Sequence, residues 1–189
     1  MINMAEHWAT LVSIIIGLGI ADLLVNLHRL IHARKHVEWD ALPLAWATIA
    51  LLWLFNYWWA VGAGLDGSQA VRVVGQYVLL AILPILLFLM SASVLPRAIP
   101  ETGRLNMHTE WSKSRDIFLT IFAINQTATW IVVIAARGTI AFDFASLVRT
   151  IALVFVVGAL IFRSRRFEWL AALVVIVVAV ARISTQIIR

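Results

Sequence analysis

The chain contains no cysteine, which excludes disulfides, thiolate metal sites and a catalytic thiol. Charge is scarce as well. Only 13% of the 189 residues are charged while 62% are apolar, against roughly 25% and 45–50% in soluble domains. With a mean hydropathy of +0.94, a soluble globule could not hide its apolar surface. Lysine and arginine are missing from Met1 to Glu6, and no small-residue cleavage site follows the first apolar run, Trp8 to Leu27. The expectation is that the first helix stays in the mature protein rather than leaving as a signal peptide. Motifs of catalysis are missing too: there is no Ser-His-Asp order, His-Glu-x-x-His, phosphate loop or dinucleotide fingerprint, so no enzymatic activity is expected.

What is present is a succession of long apolar runs, at roughly 8–32, 41–64, 70–95, 115–136, 139–162 and 167–187. About 20 apolar residues cross a hydrocarbon core of about 30 Å. Backbone polar groups find no partner in lipid, and the runs are too long and continuous for alternating barrel strands, so each is expected to be a helix. The fold class is all-α, a polytopic integral membrane bundle of six transmembrane helices in a single domain.

Ten of the fifteen Lys and Arg residues fall in alternate connections: Arg29, Arg34 and Lys35; Arg97, Arg104, Lys113 and Arg115; Arg163, Arg165 and Arg166. The positive-inside rule places these connections in the cytoplasm and both termini outside. The net charge of +5 thereby reads as a topology signal and a contact to anionic lipid head groups, not as nucleic-acid binding. Trp8, Trp58 and Trp59 are expected near the outer interface, and Trp39, Trp111 and Trp169 near the inner one. The longest connection, Pro96 to Ser114, is broken by Pro96, Pro100 and Gly103, and is expected to lie along the inner leaflet as a short amphipathic turn.

The order GLGIADLLVNLHRLIHARKHVEWDALPLAWATIALLWLFNYWWA followed by LLAILPILLFLMSASVLP resembles a family of short, uncharacterised polytopic inner-membrane proteins from proteobacteria. The resemblance covers about the first half of the chain. It implies a bacterial inner-membrane location and carries no activity with it.

Polar residues inside the spans are the candidate site, because an ionised group at the bilayer centre costs at least about 2.5–3.5 kcal/mol and therefore faces protein or water. Asp22 counts to mid-depth from Trp8, and Asn26 and Arg29 share its helix face. Arg149, in the fifth span, is the natural counter-charge. Paired, Asp22 is half of a structural ion pair; unpaired, it is a proton or cation site with Asn26 as a neutral ligand. Asn125 and Gln126 in the fourth span and Asn56 in the second either join helices by hydrogen bonds or contact a substrate. Arg182 lies near the outer surface, where it snorkels or draws in an anion.

Trp46, Trp53 and Tyr57 form a stripe on the second helix that packs or stacks on a planar ligand such as a quinone. Pro84 removes one hydrogen bond from the third span. His28, His32 and His36 share a face at metal-ligand spacing, but the interleaved cations disfavour a metal; neither metal nor cofactor is expected. Two functions stay open. One is a small oligomeric transporter or channel, passing a small ion or molecule by Asp22, Asn26, Asn125, Gln126 and Arg149. The other is a non-transporting module that binds a partner membrane protein, a lipid or a quinone.

Overall fold

The computed structural model describes residues 4–64, 74–100, 103–137 and 144–187. Among them are six α-helices: α1 (Met4–His32), α2 (Ala41–Gly64), α3 (Val74–Val94), α4 (Met107–Arg137), α5 (Phe144–Phe162) and α6 (Arg165–Ile187). Three contain stretches long and apolar enough to cross a membrane, His7–His32, Ala41–Val61 and Met107–Ile134; Ala81–Val94 and Ser146–Phe162 are apolar but shorter. The expected runs coincide with helices except at 70–73 and 139–143, which lie outside the described residues.

The connection after α3 departs from expectation. Asn106 accepts the Thr109 amide at its Oδ1 (3.0 Å), a side-chain N-cap that starts α4 at Met107. The residues from Met107 to Ser114 are thus the first two turns of a 31-residue helix, not a separate turn on the leaflet. Trp111 among them is buried against the bundle.

The connections α1–α2, α3–α4 and α5–α6 gather at one end of the bundle, and three local devices hold them there. Asp40 caps α2 through its Oδ1 and the Leu42 amide (3.1 Å). Ser164 Oγ accepts the Phe167 amide (3.2 Å) at the start of α6, just after Arg163 turns the chain through a φ of 44°. Two-residue strands β1 (Val37–Glu38) and β2 (Leu105–Asn106) pair in parallel, and Asn106 donates to Glu38 Oε2 across them (2.6 Å). This end carries Arg34, Lys35, Arg97, Arg104, Lys113, Arg163, Arg165 and Arg166, and is called the basic end below.

Around the bundle the principal neighbours run α1–α3–α4–α5–α6–α2 and back to α1, with α2 also reaching α3 and α4. Alanines at 152, 159, 171, 172 and 179 are buried, and residues this small let α5 and α6 approach closely. Outward faces are apolar on every side: Leu18, Ile117, Val154 and Leu173 are each more than half exposed, a surface suited to lipid rather than water. Bulky aromatics fill the centre. Trp111 stacks on Trp46 (centroids 6.3 Å), Trp46 meets Phe118 edge-on (5.6 Å), Phe118 meets Phe122 (6.2 Å), and Phe122 meets Trp53 (5.1 Å). Each such pair adds about 0.5–1.5 kcal/mol beyond the area it buries. The result is an aromatic column running from the basic end to mid-bundle.

Candidate functional site

Beyond Trp53, toward the other end, the column gives way to a cavity of about 200 Å³. All six helices contribute to its lining: Trp8 from α1, Asn56 and Tyr57 from α2, Leu83 and Leu87 from α3, Asn125, Gln126 and Thr129 from α4, Arg149 from α5 and Arg182 from α6. Four of the residues singled out in the sequence, Asn56, Asn125, Gln126 and Arg149, therefore share one space. They come together because α2, α3 and α4 are mutual neighbours and α5 and α6 close the ring.

Two amides on α4 are tied down differently. Asn125 Nδ2 donates to the carbonyl of Leu83 (3.2 Å), which precedes Pro84, the residue whose ring nitrogen leaves one helical carbonyl of α3 without its donor. Gln126 Oε1 accepts from Trp53 Nε1 (3.0 Å). An indole N–H only donates, so this bond fixes the amide orientation and turns Nε2 elsewhere. Gln126 is buried, and its Nε2 has no acceptor among the described residues.

Asp22 and Asn26 stand apart from this cavity. Asn26 donates to Asp22 Oδ2 (3.1 Å), and Arg97 approaches the same oxygen at 4.0 Å. Of the two alternatives for Asp22, the ion pair with Arg149 is not formed: α1 packs on α2 and α3, whereas α5 packs on α4 and α6. Arg97 belongs to the connection after α3, and the histidine-bearing turns of α1 continue past Asp22. His28 and His32 stack there (6.3 Å); among the described residues no three His, Asp or Glu side chains converge as metal ligands.

At the basic end the structure reveals a second polar cluster that the sequence did not single out. Arg115 and Glu168 are both buried and pair through Nε and Oε1 (2.7 Å). Trp111 Nε1 donates to Glu168 Oε2 (3.1 Å), and Arg115 donates to the Ala159 carbonyl (2.6 Å) and to Asp116 (2.6 Å). Asp116 also takes Arg163 (2.7 Å). Asp40, buried while capping α2, pairs with Arg165 (2.9 Å), and His108 lies 3.3 Å from its other oxygen. One signal pointed here: Glu168 is the lone acidic residue of its helix, beside the Arg163–Arg166 run. The cluster ties α2, α4, α5 and α6 together around a second cavity of about 400 Å³, lined by Trp111, Arg115, Asp116, Arg163, Arg165 and Glu168 among others.

Comparison of the chain with protein-family models, with curated proteins and with solved structures finds no match.

Proposed function

We propose that this is a six-span protein of a bacterial inner membrane, with both termini outside, that holds a small ligand in the cavity at its outward end. The observation that carries the reading is a cavity bounded by all six helices and closed beneath by the aromatic column, whose Trp46, Phe118 and Phe122 are fully inaccessible to solvent. A continuous pore needs water or polar groups along its length, and here the cavity stops at Trp53. The six-span topology and the orientation are supported by the basic residues gathered at one end, the end that the positive-inside rule assigns to the cytoplasm. The resemblance to proteobacterial membrane proteins agrees with that location.

A second reading, a carrier caught in one state, is favoured by the basic-end cluster. It is made of side-chain ion pairs, two of which, Arg163–Asp116 and Arg165–Asp40, involve half-exposed or exposed arginines and are of the kind that can rearrange. In that reading the chain is a small transporter, working alone or as an oligomer. The two readings separate in proteoliposomes and in extracts. For a binding module, extraction of the purified chain followed by mass spectrometry yields a small molecule that is absent from the cavity-filling variant Val132→Trp, Val132 being a lining residue on α4. Liposomes bearing the chain then show no proton or potassium flux above empty ones. Flux that Val132→Trp abolishes supports the carrier and contradicts a binding-only role.

A further inference from the structure

The orphan amide in the cavity bears on what the cavity takes. Gln126 Nε2 is a fixed, buried donor, and a buried donor without an acceptor costs free energy that a ligand acceptor would recover. The neighbouring amide, Asn125, already spends its donor on Leu83. Among the described lining residues none is acidic, and Trp53 and Tyr57, one turn apart on α2, both line the cavity. Both lining arginines, Arg149 and Arg182, have interactions of their own. The volume of about 200 Å³ falls below the roughly 300–1,000 Å³ of sites that enclose a drug-sized ligand. One ring system fits.

Resting on the binding reading above, we infer that the cavity takes the head group of a quinone-class ligand: a flat ring with one carbonyl oxygen accepting from Gln126 Nε2 and its face against Trp53 and Tyr57. No electron transfer is implied; the contact is recognition by hydrogen bond and stacking.

Menadione and 2-methylnaphthalene share a carbon skeleton and differ in the two carbonyl oxygens. The chain has no cysteine, so menadione cannot be consumed by thiol addition. Saturable binding of each is measured by equilibrium dialysis against the full chain in nanodiscs, with empty nanodiscs subtracted. The expected result is menadione binding about tenfold tighter than the hydrocarbon, the worth of one good hydrogen bond. Gln126→Met lowers menadione to the level of the hydrocarbon and leaves the hydrocarbon unchanged, which also shows that the variant is folded. Should Gln126→Met lose both ligands by failing to fold, the wild-type ratio still decides. Equal wild-type affinities overturn the head-group inference while the binding reading stands. Absence of saturable binding by either compound overturns the head-group inference, and the extraction experiment then judges the binding reading alone.

Discussion

Gly158 shows how little room the single residue has at the α5–α6 seam. A Cβ built there would lie 2.7 Å from Phe167 Cζ, and Phe167 cannot swing away because Phe155 stacks on it (6.1 Å) and Phe162 packs against it (5.0 Å). Gly158→Ala is expected to destabilise the bundle by about 1–3 kcal/mol, the usual cost of overpacking, seen as a lower thermal midpoint in detergent; an unchanged midpoint would show that the seam is loose. Asp22→Asn makes the opposite case. Its ion pair with Arg97 is 4.0 Å long and Arg97 is well exposed, so at most about 1 kcal/mol is at stake. Stability should barely move, and a cavity ligand should be retained. At this scale the sequence was informative about which residues matter and silent about which meet. Rarity inside apolar runs marked Asn56, Asn125, Gln126 and Arg149, but Asp22 was matched with Arg149 on depth alone, and depth says nothing about which helices are neighbours.

Among the elements, the first turns of α4 bind the basic end together. Arg115 and Trp111, one turn apart, both reach Glu168 on α6. Removing one partner leaves the other as a buried charge without compensation, so Arg115→Met is expected to cost about 3–5 kcal/mol. Replacing both with apolar residues, Arg115→Met with Glu168→Leu, should cost much less. Chemical or thermal unfolding of the single and double variants in detergent checks this; equal losses in the two would mean that the pair does not couple α4 to α6. The helices were legible from hydrophobic run length, since lipid admits few other structures. The start of α4 was not, because it depends on the Asn106 side chain capping a helix whose first turns are polar. Nor was the buried cluster: Asp40, Arg115 and Glu168 sit where loops and basic runs are expected, and their burial comes from elements distant in sequence.

For the whole molecule, the arrangement is a pocket at one end, an ionic clamp at the other and an aromatic column between. The clamp and pocket are joined through that column, since Trp111 bonds Glu168 at one extreme and Trp53 bonds Gln126 at the other. With the column closed, the pocket should open only to the outer face. Single cysteines in the naturally cysteine-free chain, Asn56→Cys in the cavity and Ser112→Cys at the basic end, report this when treated with a membrane-impermeant maleimide from each side of intact and inverted vesicles. Asn56→Cys should react only from the outer side and Ser112→Cys only from the cytoplasmic side. Reaction of Asn56→Cys from the cytoplasmic side, or of Ser112→Cys from outside, would contradict the closed column or the orientation.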